Sequence, residues 1–314
     1  MRVPYARVML AKPVAHASFT DAENLLRAGR VTAALDVLLS DSTPSVPTLA
    51  LTLECRLARG EMDLALLLGT KLAPRHGPDD DDSVAALACA ELAAALGNND
   101  DAIGLALTVG TDDLPWRECA ALSMIRVGRR RDAERLAREQ LTLAREAGST
   151  YSLARALRTT AAVCATVDHD AHLREALALA RAGGYHRLAA QVATDLAGVQ
   201  ALASRDHGEA VALLREAEEY ADVEDLWPLH TRVRRLLERL GETPKLPRTE
   251  AMARLTQTQL LICNLAATGS TNRAIGEHLG ITVKAVEWHL SHAYKKLGIR
   301  GRPQLPEVLR LPSP

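Results

Sequence analysis

One pattern recurs along residues 17–241 and restricts what the chain can fold into. The segment is rich in Ala, Leu, Arg and Glu and poor in β-branched and aromatic residues, and period-2 alternation is scarce. Apolar residues return instead at helical spacing, for example at Leu25, Leu26, Leu35, Leu38 and Leu39. This periodicity predicts α-helices and no strands.

Short polar turn signals separate the predicted helices. They return at steps of about 31 to about 40 residues, close to the ~34-residue period of tetratricopeptide repeats. A typical unit joins residues 116–127 to residues 132–146 through Gly128-Arg129-Arg130. The other turn signals are Gly29-Arg30, Arg59-Gly60, Gly97-Asn98-Asn99, Asp168-His169 and Asp206-His207-Gly208.

The pattern at Gly29, Arg30, Ala33, Ala34 and Leu35 resembles the tetratricopeptide repeat. The Trp/Leu/Gly/Tyr signature of that family is not regularly repeated here. We predict an all-α, tetratricopeptide-like solenoid of stacked helix pairs over residues 17–241. A plain Ala-rich helical bundle would explain the same pattern.

Composition excludes several other classes of protein. The chain of 314 residues is 47% apolar and 25% charged, as in ordinary globular proteins. No uncharged stretch is apolar enough to span a bilayer, and Lys12 and Pro13 interrupt the N-terminal segment where a secretory signal would need a continuous apolar core. Five widely spaced cysteines without a C-x-x-C motif fit neither a disulfide framework nor a zinc site. We therefore expect a cytoplasmic protein without membrane contact.

The small net charge of −1 hides an asymmetry along the chain. Residues 251–314 hold eight Lys/Arg and three acidic residues, a net charge of +5, which leaves −6 for residues 1–250. An acidic body followed by a basic end suggests that the end faces nucleic acid.

Motifs for catalysis and metal binding are incomplete. There is no G-x-S-x-G, no H-E-x-x-H and no Gly-Lys pair of a Walker P-loop. The acidic run at residues 74–82 is either a cation site or, as we favour, a solvated loop whose carboxylates cap a helix near Ser83. No third ligand completes the His169/His172 and His289/His292 pairs. We predict no enzyme, no cofactor and no metal.

The C-terminal segment predicts three helices and a short fourth. Helix one spans 256–268, helix two about 272–279 and helix three 283–297, separated by tight turns as in a helix-turn-helix. Thr256, with Gln259 as its capping-box partner, Thr271 and Thr282 are the predicted N-caps. The predicted helix ends are Gly269, Gly280 and Gly298.

Helix three separates into two faces at 100° per residue. The predicted core face is Val286, Leu290, Ala293 and Leu297. The opposite side carries Lys284, Trp288, Ser291 and Lys295, flanked by Glu287 and His292. Such a face suits the major groove of DNA, which admits one α-helix. The alternative is that Trp288 packs on a neighbouring helix or on the repeat body.

The segment from about 254 to 305 resembles the DNA-binding domain of the LuxR family of bacterial transcription regulators. The matching positions are Leu255-Thr256, Ala267-x-Gly269, Thr271-Asn272-Arg273, Ile275, Leu279, Ile281-Thr282, Val286-x-x-His289-Leu290, Tyr294-x-Lys296-Leu297-Gly298 and Arg302-x-Gln304-Leu305. The sequence departs from the family at Gln259, where Glu is usual and an ion pair becomes a neutral hydrogen bond. Further departures are Ala285, Glu287 and Ala293, and the flanking of the fourth helix by Pro303 and Pro306.

The run Val286–Leu290 resembles a subset of the family, the large ATP-binding regulators related to MalT. The chain resembles their last part, which combines helical repeats with a helix-turn-helix, and it lacks their ATPase domain. The resemblance implies promoter DNA as a partner. We expect a homodimer, and we predict that the repeats either dimerise or bind a small-molecule or protein effector.

We expect four segments: a tail over 1–16, the repeats over 17–241, a linker over 242–253 and the DNA-binding domain over 254–314. The expected phosphate contacts are Thr271, Asn272, Arg273, Thr282, Lys284, Lys295, Lys296, Arg300 and Arg302. The expected base contacts are Glu287, Trp288, Ser291 and His292. These assignments predict a sequence-specific transcription regulator. The alternative is a scaffold adaptor that binds proteins and carries a vestigial DNA module.

Overall fold

The computed structural model describes residues 19–72, 80–203, 207–245, 252 and 255–309. Over these residues the protein is all α-helical and has no strand, which confirms the predicted fold class. The predicted tail over 1–16 lies outside the described residues, as do residues 246–251 and 253 of the predicted linker. Residues 74–79 of the acidic loop also lie outside them, and the next helix begins at Asp80 rather than near Ser83.

The body consists of helix pairs that follow one another along the chain, and successive helices pack side by side. Its helices are α1 (Phe19–Arg27), α2 (Val31–Leu39), α3 (Val46–Arg59), α4 (Met62–Leu72), α5 (Asp80–Ala95), α6 (Asn99–Ala106), α7 (Trp116–Arg126), α8 (Arg130–Ala147), α9 (Thr150–Val163), α10 (His169–Ala182), α11 (His186–Ala203), α12 (Gly208–Val223) and α13 (Trp227–Arg239).

Each predicted turn falls between the two helices of a pair, except that Asp206 of the last turn signal lies outside the described residues. A left-handed residue with positive φ commonly follows the end of a helix. This conformation occurs in the predicted turns at Gly29, Gly60, Gly97 and Gly128. Asp168 marks the turn before α10 in another way, because its side chain accepts the backbone N–H of Ala171 at 3.0 Å as an N-cap. The local signals therefore located these turns correctly.

The helical body closes on itself. The hydroxyl of Tyr220 in α12 donates to the carbonyl of Gly29 at 2.5 Å. The N–H of Thr32 in α2 donates to Glu224 Oε2 at 2.9 Å. Helix α3 also contacts α13. The first helix pair thus packs against the last, and the first helices of the pairs line a partly open cavity.

Small residues permit this close packing. Many core positions of the body are alanines with no exposed surface, among them Ala22, Ala34, Ala65, Ala176 and Ala217. At the closure, a Cβ on Gly29 would lie 2.5 Å from the backbone nitrogen of Arg187, and the φ of Gly29 is +87°. A side chain at this position would therefore separate the two ends of the ring.

The C-terminal domain has its own apolar core. Its helices are α14 (Gln257–Ala267), α15 (Asn272–Leu279), α16 (Val283–Leu297) and, after a 3₁₀ turn at Arg302–Gln304, α17 (Leu305–Leu309). Ile262, Ile275, Val286 and Leu305 are almost completely buried against one another. The three predicted long helices are confirmed, and the short fourth packs into the same core through Leu305.

Candidate nucleic-acid interface

Helices α15 and α16 are fixed relative to each other by a short capped turn. Thr271 accepts the N–H of Ala274 at 3.1 Å, and Thr282 accepts the N–H of Ala285 at 3.2 Å. Gly280 ends α15 in the left-handed conformation, with φ +66°. The capping box predicted for α14 is also present, with both Thr256 and Gln259 participating.

Gly276 makes the turn tight, and our sequence interpretation missed it. A Cβ on this residue would lie 2.7 Å from the carbonyl oxygen of Ile281. Only glycine therefore allows the turn to lie directly against α15. The signal was present, because a glycine inside an otherwise good helical pattern indicates close approach of another backbone.

Helix α16 has the two faces that its periodicity predicts. Val286, Leu290, Ala293 and Leu297 are buried in the domain core. The opposite side leaves Lys284, Glu287, Trp288, Ser291 and Lys295 exposed to solvent. The domain thus presents one complete helical face of mixed charge and hydrogen-bonding capacity.

Trp288 is 55% exposed, and it packs on side chains of its own helix. The His292 ring lies 4.1 Å from the indole, between centroids, with an interplanar angle of 34°. His292 Nδ1 donates to the carbonyl of Trp288 at 2.8 Å, which fixes the imidazole. The His289 ring is edge-on to the indole, with 5.0 Å between the ring centroids. The indole is therefore oriented before any partner arrives.

Several cationic side chains surround this face. Among the described residues, neither Lys284 nor Lys295 takes part in an ion pair, and both are exposed. Arg300 is also exposed, and its N–H donates to Gln304 Oε1 at 2.6 Å. Arg273 pairs with Glu277 at 3.0 Å, but both side chains are so exposed that this pair contributes little to stability.

Two other predicted cations are turned inward. Arg302 donates to the carbonyl of Ala266 at 2.9 Å and to Asn272 Oδ1 at 3.1 Å, and it also bonds the carbonyl of Ser270. Lys296 donates to Gln259 Oε1 at 2.8 Å. In this arrangement Arg302, Asn272 and Lys296 connect elements of the domain to one another.

A surface groove of about 450 Å³ joins the exposed face to these cations. Glu287, Ser291 and Lys295 follow one another along one side of the groove at four-residue intervals. Arg300 and Arg302 also line the groove. One carboxylate and three cations in a groove form a surface that suits an anionic backbone.

The cysteines are unsuited to nucleophilic chemistry. All five are free thiols, and burial raises the pKa of each of them. Burial raises the pKa of Cys263, in the C-terminal core, to about 11.

Within the described ranges no group of three or more His, Cys, Asp or Glu is placed to hold a metal ion. No described helix is long and apolar enough to cross a membrane.

Comparison with known proteins identifies the C-terminal part of the chain. Residues 253–309 match the family described as bacterial regulatory proteins, luxR family. The match covers this domain and does not extend over the helical body. A search of curated proteins found no match to the chain. The domain that carries the exposed face of α16 is therefore a LuxR-type helix-turn-helix.

Proposed function

Because residues 253–309 form a LuxR-type helix-turn-helix domain, we propose that the chain is a sequence-specific transcription regulator that inserts α16 into the major groove. One observation carries this proposal. The face of α16 from Lys284 to Lys295 is exposed along its whole length, although it contains a tryptophan. An exposed Trp beside unpaired cations is typical of a surface that binds a partner.

The contacts divide into two kinds. Lys284, Lys295 and Arg300, together with Arg273 and the cap residues Thr271 and Thr282, are proposed to contact phosphates, which supply affinity and orientation. Glu287, Trp288, Ser291 and His292 are proposed to approach base edges. A carboxylate such as Glu287 accepts from the N4 amine of cytosine, so a cytosine is expected in the bound site.

Three residues that the sequence predicted as phosphate contacts are proposed to have a different role. Asn272, Lys296 and Arg302 are occupied by hydrogen bonds inside the domain. We propose that they act on DNA binding through the position of α16 and of the segment that follows it. Any phosphate contact by these side chains would require those hydrogen bonds to be exchanged.

The test is selection of bound sequences from a random duplex library by the full-length chain, followed by anisotropy titrations on the selected site. We expect enrichment of one motif, and an affinity that falls with salt by about 0.9 log unit per log unit for each phosphate contact. Lys284→Ala should weaken binding, and Lys71→Ala, an exposed lysine of α4, should leave it unchanged. No enriched motif, together with binding insensitive to salt, would contradict the proposal.

The repeats are proposed to sense a signal or to hold two copies together. The order of the parts, a helical body followed by a LuxR-type domain, supports the resemblance to the last part of the MalT-like regulators. We propose that the protein is cytoplasmic and forms a homodimer. Light scattering of the full-length chain tests whether it is a dimer. If the chain binds a partner protein but no DNA, the scaffold adaptor is the better description.

A further inference from the structure

Two partly open cavities adjoin each other on the inner side of the ring of helices. The first has a volume of about 370 Å³ and the second about 440 Å³. Both lie in the range of small-molecule sites. Their shared wall consists of Leu26, Arg27, Glu54, Glu91, Tyr151 and Arg155. These residues lie on α1, α3, α5 and α9, so the junction is formed by helices from four different pairs.

Most charged groups that line the first cavity are in ion pairs; among the described residues, Arg126 and Glu91 are not. Arg155 pairs with Glu118 at 3.0 Å, and Arg187 pairs with Glu54 at 2.8 Å. Arg158 pairs with Asp195, with 2.6 Å between Nε and Oδ2. These guanidinium groups therefore have their carboxylates and do not require an anionic ligand.

Glu91 is the exception at the junction. Among the described residues it has no hydrogen bond and no ion pair. Burial, and then the nearby carboxylate of Glu54, raise the pKa of Glu91 to about 7. The arginines nearest to it, Arg155 and Arg187, are held by Glu118 and Glu54. Glu91 is half-buried and lines both cavities without a protein donor among the described residues, so it offers a free acceptor to a ligand that brings a donor.

The second cavity supplies an apolar compartment beside Glu91. Its wall includes Phe19, Leu51, Val84, Leu87 and Leu114. The ring of Tyr151 lies at the junction, where the Arg27 guanidinium is 5.4 Å from its centroid. An apolar ligand body placed here would cover these side chains and exclude water from the carboxyl group.

We propose that the adjoining cavities bind a small organic amine, whose protonated amino group pairs with Glu91 and whose apolar body lies in the compartment beside Phe19. Ser123 also lines the first cavity, and its buried hydroxyl has no hydrogen-bond partner among the described residues. The amine would then be the signal that the repeats sense, so this inference rests on the sensing role proposed above.

The test is thermal unfolding of the full-length chain with three matched probes: phenethylamine, 2-phenylethanol and phenylacetate. We expect the amine to raise Tm, the alcohol to do so less and the carboxylate not at all, because a ligand stabilises the folded chain according to its affinity. Glu91→Gln should abolish the effect of the amine. Glu175→Gln, a change of the same kind on the exposed surface of α10, should leave it intact.

A second variant keeps the test decisive if Glu91→Gln alters the fold. Ala94→Phe fills the first cavity from the next turn of α5 and should also abolish the shift by phenethylamine. Equal shifts by all three probes, a preference for phenylacetate, no shift with the amine, or an unchanged amine effect in both variants would overturn the proposal. The measurement contains no DNA, so its outcome is separate from that of the proposed promoter binding.

Discussion

Lys296 Nζ donates a 2.8 Å hydrogen bond to Oε1 of Gln259, and the same oxygen accepts the N–H of Thr256 at 3.1 Å. Gln259 is only 4% exposed, so this bond connects α14 to α16 inside the domain. The neighbouring Lys295 is exposed and has no ion pair among the described residues. Two adjacent lysines therefore have different surroundings.

This difference predicts opposite phenotypes for two alanine substitutions. Lys295→Ala should weaken binding to all DNA sequences and reduce the salt slope by about 0.9, with Tm unchanged. Lys296→Ala should lower the free energy of unfolding of the domain by about 1–3 kcal/mol, because a hydrogen bond from a charged donor is lost at a buried acceptor. Salt-dependent anisotropy and thermal unfolding separate the two effects. Equal loss of stability in both variants would contradict this assignment.

Glu287 predicts a preference for one base. Its carboxylate lies on the exposed face of α16, where it repels phosphates but accepts from cytosine N4. Glu287→Ala should reduce discrimination at one position of the site by about 1–3 kcal/mol and leave the other positions unchanged. Selection from a random duplex library measures this, with Glu175→Ala as the control. Uniform weakening across all positions would mean that Glu287 acts on affinity alone.

Gly276 predicts a steric requirement at the turn. Gly276→Ala places a Cβ 2.7 Å from the carbonyl oxygen of Ile281, so α15 and the turn must separate, and we expect lower Tm and weaker DNA binding. Gly104→Ala, inside α6, meets nothing within 4 Å and should instead stabilise the body by about 0.5–1 kcal/mol. Thermal unfolding of the two variants gives the comparison. A neutral Gly276→Ala would show that the turn can move.

The raised pKa of Glu91 predicts that the stability of the folded chain depends on pH. Its pKa is raised to about 7 by burial and by Glu54, against the opposing effect of Arg155 and Arg187, with Glu118 adding to the rise. A raised folded-state pKa means that the folded chain holds a proton that the unfolded chain releases between about pH 4.5 and 7. Stability from this group therefore falls as pH rises through that window.

Glu91→Gln should remove this dependence. We expect the variant to be more stable than the parent chain by roughly 1–3 kcal/mol at pH 8 and similar to it at pH 4. Urea unfolding at the two pH values measures the difference, and Glu175→Gln controls for the loss of one surface carboxylate. A parent chain and a Glu91→Gln variant with parallel pH profiles would show that Glu91 is charged at neutral pH in the folded chain.

The exposed face of α16 shows how far local pattern reaches. Helical periodicity placed Val286, Leu290, Ala293 and Leu297 in the core, and all four are buried there. It placed Lys284, Trp288 and Ser291 on the other side, and all three are exposed. Thr256, Thr271 and Thr282 cap the helices for which they were predicted. Periodicity and caps involve residues within one or two turns of each other, so the sequence contains them in full.

The contacts of Arg302 and the closure of the ring could not be predicted from local sequence patterns. The basic cluster after α16 predicted phosphate contacts, but the Arg302 guanidinium lies against Ala266 and Asn272, more than one helix away in the sequence. No periodicity indicated that Tyr220 would reach Gly29, or that Glu54, Glu91 and Arg155 would line one cavity.

By itself, therefore, the sequence determined the helices, their caps and turns, the buried side of α16 and the resemblance of its last segment to one family of regulators. Tertiary structure decided which cations point to solvent, which carboxyl lacks a partner among the described residues and that the repeats line a cavity. The physical reason is the separation along the chain of the residues that interact. Caps and periodicity are set by backbone geometry over a few residues, whereas ion pairs and cavities depend on the packing of segments that lie far apart in the chain.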